Sequence, residues 1–170
     1  MRMSSAGFTG WAAGWYNGTM HPNTDSYSYA RARIWGERDD LLSGCRNGYV
    51  LVVSSRALSD DAHTALRKSM AALGYGTDAC TYLVATPQGL PPDACRSVVE
   101  ALDPRILIAG DAAAADLLAA AYREPFPLLH QVHLFGRPAR AFESIDRLME
   151  SQDGHQTIWA ALKTLPTSAH

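Results

Sequence analysis

The sequence predicts an α/β fold of three layers, α/β/α, around a central, mainly parallel sheet of four to five strands. Three observations carry this reading. From about Tyr49 onward, short apolar runs alternate with stretches of helical periodicity. In LDPRILIAGDAAAADLLAAAY, Leu102 to Tyr122, an apolar strand passes through Gly110-Asp111 straight into an alanine-rich helix, which is the pattern of a parallel strand–helix unit. At 170 residues and 47% hydrophobic, the chain can bury one sizeable core and has little room for a second. The expected organisation is one domain: an irregular arm over 1–24, an N-terminal helix within 25–48, and an α/β core over 49–165.

The arm is rich in Gly, Trp, Asn and Pro without sustained periodicity, with Trp11 and Trp15 as its anchors. Asp25 is placed to cap a helix running to about Ser43, with Tyr27, Ala30, Ile34, Trp35, Leu41 and Leu42 near one face and Arg33 and Glu37 off it. Arg31 and Arg38 fall on the apolar face and Gly36 interrupts it. Either the helix breaks, or its arginines reach past the apolar groups to solvent. Tyr49 to Val53 predicts a buried strand. Ser59 then caps a helix carrying Ala62, Leu66, Met70 and Leu73 at helical spacing, which Gly74 ends.

Cys80 to Ala85 predicts a second strand, and a Pro-rich turn leads from it into a helix with Cys95, Val98, Val99 and Leu102 at i, i+3, i+4 and i+7. Ile106 to Ala109 is the third strand and Ala112 to Tyr122 its helix, so right-handed crossovers build a parallel sheet. Val132 to Phe135 and Ala139 to Phe142 flank Gly136-Arg137-Pro138 as a hairpin or two closely spaced strand segments. In the last helix Asp153 and Gln156 have capping-box spacing, and Ile158, Trp159, Leu162 and Leu165 make a core-facing stripe.

Composition narrows the function. Lys and Arg total 15 against 17 for Asp and Glu, a formal net charge of -2, so nucleic-acid contact requires a local basic patch. No apolar run approaches the roughly 18 residues of a membrane span, and the first residues lack the apolar stretch of a signal peptide. A cytoplasmic protein is expected. Cys45, Cys80 and Cys95 are odd in number and include no Cys-x-x-Cys pair, which favours buried thiols over disulfides or a thiolate metal site. Asn17-Gly18-Thr19 has the form of a glycosylation acceptor and, without a secretory route, is a chance match.

The ordered series of elements from about Tyr49 to Leu165 resembles the uracil-DNA glycosylase superfamily. Thr81-Tyr82-Leu83-Val84, followed by Pro87, Pro91 and Pro92, resembles the Thr-Asn-Leu-Val strand and Pro-rich turn of that family's four-cysteine branch. Val98 to Leu118 is similar to its next helix, turn, apolar strand and Gly before an Ala-rich helix. Ala141-Phe142-Glu143-Ser144 falls where the family has a strand leading to His-Pro-Ser, and Trp159 where it has a Trp in the final helix. The resemblance covers about two thirds of the chain and rests on the order of the segments.

The departures bear on chemistry. The family's first strand leads into a Gly-rich, water-positioning loop, whereas Val53 is followed by Ser54-Ser55-Arg56-Ala57-Leu58 and then the helix. The Asn that reads the flipped base is matched by Tyr82, one hydroxyl in place of an amide that both donates and accepts. The His that stabilises the departing base falls on Phe142. Only Ser144 survives from that triplet. Each lost transition-state donor is worth roughly 2 to 4 kcal/mol, so the resemblance implies a scaffold with no catalytic residue in the family's positions. Asp60, Asp61 and Asp111, at the starts of two helices, are expected to cap them and repel incoming phosphate.

The candidate groove residues are Ser54, Ser55, Arg56, Tyr82, Gly110, Asp111, Phe142 and Ser144, at or near the carboxyl edge where open α/β sheets bind ligands. Ser54-Ser55-Arg56 is the best small-anion candidate. Arg137, Arg140 and Arg147 form a candidate basic patch, diluted by Glu143 and Asp146, for phosphate or an acidic partner. His130 and His133 lack acidic or Cys partners and are expected to be structural, and His21-Pro22-Asn23 resembles a displaced His-Pro-Ser. No cofactor or metal is expected. The leading expectation is a non-catalytic, glycosylase-fold binding protein with DNA or a replication or repair protein as partner. A bacterial polymerase clamp-loader accessory subunit offers a similar, comparably reduced form. The alternatives are a divergent N-glycosyl hydrolase and a small phosphate-ligand-binding protein.

Overall fold

A computed structural model describes residues 22–167. Of the arm expected over 1–24, residues 1–21, with Trp11, Trp15, Asn17 and His21, lie outside the described residues, and residues 22–24 are helical instead of irregular. The first helix, α1, is Pro22–Glu37, so Asp25 lies inside it instead of capping it; Pro is well suited to a first helical turn, where no backbone donor is needed. The helix is not broken at Gly36. Arg31 reaches past the apolar face and donates from Nε and Nη2 to the Leu102 carbonyl at 3.2 and 3.0 Å. The stretch expected to continue this helix instead turns and forms a strand, β1 (Leu42–Gly44), with Leu42 buried and Ser43 and Gly44 exposed.

The remaining elements follow in the expected order: β2 (Val50–Ser54), α2 (Asp60–Ala72), β3 (Cys80–Val84), α3 (Pro92–Leu102), β4 (Ile106–Ala109) and α4 (Ala112–Tyr122), then β5 (Val132–Leu134), β6 (Arg137–Ala141), α5 (Ile145–Leu148) and α6 (Gln152–Leu162). They build an α/β fold of three layers on a six-stranded sheet ordered β1-β3-β2-β4-β6-β5. The sheet is mixed. β3, β2, β4 and β6 run parallel, and β1 and β5 add antiparallel edges, which corrects the expectation of four to five mainly parallel strands.

The chain moves from β2 to β3 in one direction and from β3 to β4 and on to β6 in the other. With one crossover hand throughout, that reversal sends α2 to one face and α3 and α4 to the opposite one. Strand alternation supplies each face with its own core. Leu51, Val53, Leu83, Leu107 and Ala109 meet α1, α3 and α4, while Val50, Val52, Ile106, Ile108 and Phe142 meet α2 and α6. Both faces are covered, so β2 and β4 read as continuous apolar runs.

The β5–β6 hairpin turns at Phe135-Gly136 alone, and Arg137 and Pro138, expected in the turn, are the first two residues of β6. Both loop residues have positive φ, 49° and 81°, the pattern of a type I′ turn. In the last helix Ser151 is the cap, accepting from the Gly154 N–H at 3.0 Å, and Asp153 lies in the first turn. Ile158, Leu162 and Leu165 are buried as expected, but Trp159 faces outward and is 41% exposed. Cys80 and Cys95 are buried and Cys45 only half-buried. His130 and His133 are exposed instead of serving as structural histidines.

Gly154 is fixed by close approach. A Cβ there would stand 1.8 Å from the Leu148 carbonyl oxygen of the preceding turn. Helix propensity alone would favour Ala by about 1 kcal/mol. The contact reverses the sign, and Gly154→Ala is expected to lower stability by roughly 2 kcal/mol or more, read from the midpoint of urea unfolding.

Candidate functional site

The direction of strand addition reverses between β2 and β4, and a crevice at such a reversal, outside the carboxyl ends, is where open α/β sheets bind ligands. Here a crevice of about 340 Å³ is lined by Ser55, Arg56, Asp111, Glu143, Ser144 and Arg147 together with the first residues of α4. Its floor is made of backbone. The Gly110 N–H donates to the Val53 carbonyl at 2.8 Å, the Phe142 N–H to Ala109 at 2.9 Å, and the Ile145 N–H to Gly110 at 2.9 Å. A Cβ on Gly110 would meet the Ser54 Cβ at 3.4 Å, close to ordinary van der Waals contact.

Asp111 is the lining residue with the most hydrogen bonds. Its Oδ1 accepts from the Ala114 N–H at 2.8 Å and caps α4. Its Oδ2 accepts from both the backbone N–H and the hydroxyl of Ser55, at 2.8 and 2.9 Å. The Ala112 N–H is also taken, by the Glu143 carbonyl at 3.0 Å. A helix amino end attracts phosphate through free N–H groups and its dipole. In this chain a resident carboxylate does that work, and Asp146 does the like for α2 by accepting from the Ser59 N–H at 3.0 Å. Ser59 caps α2 through the Ala62 N–H, with Asp60 and Asp61 in its first turn, as the sequence predicts.

Of the candidate groove residues, the fold brings together Ser55, Arg56, Gly110, Asp111 and Ser144. Ser144 caps α5 by accepting from the Arg147 N–H at 3.3 Å and bridges to Asp111. Ser54 is buried at the end of β2 and does not present its hydroxyl to a ligand. Phe142 is fully buried in the core beneath α2 and α6. Tyr82 lines a different cavity, of about 450 Å³, with Cys45, Arg67, Asp78 and Cys80, and its ring lies against His63 at 4.3 Å between centroids. The Tyr82 hydroxyl is buried without a hydrogen-bond partner, and burial is the main reason its pKa is raised. Burial likewise pushes the Cys80 thiol up to about 11.

The candidate basic patch does not form. Arg147 stands exposed at the crevice, but Arg140 is buried and donates to the Leu129 carbonyl and the Thr164 hydroxyl. Arg137, at the other end of β6, pairs with Glu100 at 2.7 Å and Asp103 at 3.2 Å. Regular alternation along β6 turns these side chains to different places, which their proximity in sequence conceals. What sequence reading missed is the structural work of Glu143 and Asp146. The only signal for it was their position just after the last parallel strand. Among the described residues no group of three or more His, Cys, Asp or Glu side chains is placed to hold a metal ion. No described helix is long and apolar enough to cross a membrane.

No protein-family model matches this chain, and no curated protein matches it.

Two outcomes are expected. Asp111→Ala removes a helix cap and two hydrogen bonds from Ser55, and should lower the free energy of unfolding by about 2 to 4 kcal/mol in urea titration. Glu100 is the second case. Burial alone would raise its pKa, but hydrogen bonds from Arg137 and Tyr122 and the guanidinium charge outweigh that and hold the carboxyl below its ordinary range. A carboxyl depressed in the folded state contributes stability that is complete above the unfolded value, about 4.3, and is lost as pH falls through the folded value. Glu100→Gln should therefore lower stability at pH 7, with the difference from the parent chain shrinking in acid, measured by urea unfolding across pH 3 to 7.

Proposed function

We propose that the chain is a non-catalytic member of the uracil-DNA glycosylase superfamily that acts through binding, with DNA or a protein of DNA replication or repair as its partner. The order of elements from β2 to α6 supports the scaffold, and one observation carries the inert reading: Asp111 spends its carboxylate on the α4 amino end and on Ser55. A water-activating carboxylate needs lone pairs free toward the substrate and a site that receives the phosphate backbone. Here the Ala112 and Ala114 N–H groups and both Ser55 donors are already used, and the carboxylates of Glu143 and Asp146 stand near the exposed Arg56 and Arg147. The position resembling the family's catalytic His is Phe142, an apolar ring sealed in the core that can offer no hydrogen bond to a departing base. The Tyr82 hydroxyl, at the position resembling the base-reading Asn, belongs to a separate cavity beside β1.

The test is base excision under enzyme excess. Single- and double-stranded oligonucleotides carrying uracil or other deaminated bases are incubated with the protein and then treated with alkali to cleave abasic sites. The expected result is no cleavage above the protein-free control. Strand cleavage that depends on the protein, and that persists in a preparation from a host lacking its own glycosylases, would overturn the reading in favour of a divergent hydrolase.

A further inference from the structure

The opposite edge of the sheet, at the amino ends of the parallel strands, carries a cleft of about 730 Å³ with an aromatic and cationic wall. Tyr49 precedes β2, Tyr75 precedes β3, Arg105 precedes β4, Phe135 sits at the tip of the β5–β6 hairpin, and Tyr27 reaches the cleft from α1. Tyr27, Tyr49 and Phe135 are 55%, 45% and 58% exposed. Exposed rings gathered in one place mark an interaction site more often than rings scattered singly. Tyr75 tilts against Tyr49 at 5.4 Å and its hydroxyl donates to the Pro166 carbonyl, which steadies this wall.

The charges that line the cleft balance, Arg105 and Arg137 against Glu100 and Asp103, but Arg137 engages both carboxylates, and Arg96, over the Phe135 ring, and Arg31, on the Leu102 carbonyl, add positive charge just beyond the lining. The Arg105 guanidinium stands over the Tyr49 ring, 5.7 Å from its centroid, and among the described residues it makes no ion pair. The crevice at the carboxyl edge is the reverse, with Asp60, Asp61, Asp111, Glu143 and Asp146 around Arg56 and Arg147.

Phe135 supplies an independent observation. It holds φ at +49°, a left-handed conformation that costs a bulky residue roughly 1 to 2 kcal/mol, at the turn position where Asn before Gly is favoured. Its ring packs against Tyr122, 6.2 Å between centroids, and the Arg96 guanidinium, 5.3 Å from its centroid, yet stays more than half exposed, so packing offsets that cost only in part. The hairpin therefore holds a strained residue that presents an aromatic face to solvent, and such strain concentrates where a surface is used.

We propose that this cleft binds single-stranded nucleic acid, with bases stacking on Phe135, Tyr49 and Tyr27 and a backbone phosphate on Arg105. Unpaired bases offer the flat faces these rings can cover, and a phosphodiester supplies the charge Arg105 lacks. The site lies across the sheet from the crevice considered above, so it goes beyond the inert reading of that crevice and does not depend on it.

The experiment is fluorescence anisotropy with labelled dT and rU oligonucleotides of about ten nucleotides at low salt, beside a blunt duplex of equal length. At least one single strand should bind, more tightly than the duplex, and which strand binds distinguishes DNA from RNA. Phe135→Asn should weaken binding about tenfold while raising the thermal midpoint, because Asn-Gly suits the turn. Arg105→Gln should reduce the slope of log affinity against log salt by about one. Trp159→Ala, which removes an exposed ring between α2 and α6, should change nothing. The proposal is overturned if neither single strand binds, if the duplex binds as well, if Phe135→Asn binds at full strength, or if Trp159→Ala weakens binding as much.

Discussion

The carboxylate of Asp111 is the constraint on which the carboxyl edge of this protein depends. Three hydrogen bonds from the Ala114 N–H and from the backbone and hydroxyl of Ser55 join the start of α4 to the end of β2 across the point where the sheet reverses direction. Those two strands are the centre of the sheet, and the same crossing is reinforced by Gly110, whose N–H and carbonyl bond to Val53 and Ile145. An α/β sheet ordinarily leaves this position open for a ligand because the helix amino end is electropositive and its first donors are free. Here the fold supplies its own anion. The charged cap that stabilises α4 also takes up donors that a phosphate would use.

The two edges of the sheet thus carry opposite chemistry. At the carboxyl ends, short polar side chains cap helices and are consumed by doing so: Ser55 by Asp111, Ser59 by α2, Ser144 by α5. At the amino ends, exposed rings and the Arg105 side chain stand in solvent beside a largely buried Arg137 that holds Glu100 and Asp103. A chain of formal net charge -2 has no global attraction for nucleic acid. A local one would rest on Arg105, which makes no ion pair among the described residues while Arg137 holds Glu100 and Asp103, and a field of that kind is felt over distances near about 8 to 10 Å.

Much of the fold was legible because helices and buried strands announce themselves by period. Ile106 to Ala109 and Ala112 to Tyr122 lie where the sequence puts them, and Ser59 and Gly74 bound the second helix as caps should. β1 was not legible: a strand of three residues with one buried side chain has no period to read, and Leu42 fits a helix as well as a sheet edge. Trp159 shows the limit of stripe reasoning, since a ring next to a core position can turn outward when its neighbours fill the space. The site was half legible. Strand ends and caps placed Ser55, Gly110, Asp111 and Ser144 together, whereas the arginines and Tyr82 were grouped by linear proximity or by resemblance, and their surroundings depend on which face each strand turns to the helices. The amino-edge cleft left only one local trace, Phe before Gly in a two-residue hairpin, where turn chemistry favours Asn.

The central claim is that the carboxyl edge is closed by the protein itself while the amino edge is open. Backbone amide shifts recorded by NMR during titration with a short single-stranded oligonucleotide read both edges at once. Perturbations should centre on Tyr49, Arg105 and residues 135–137, with the amides of Ser55, Gly110 and Ala114 unmoved. Shifts centred on Ser55, Gly110 and Ala114, or no shifts at either edge, would contradict it.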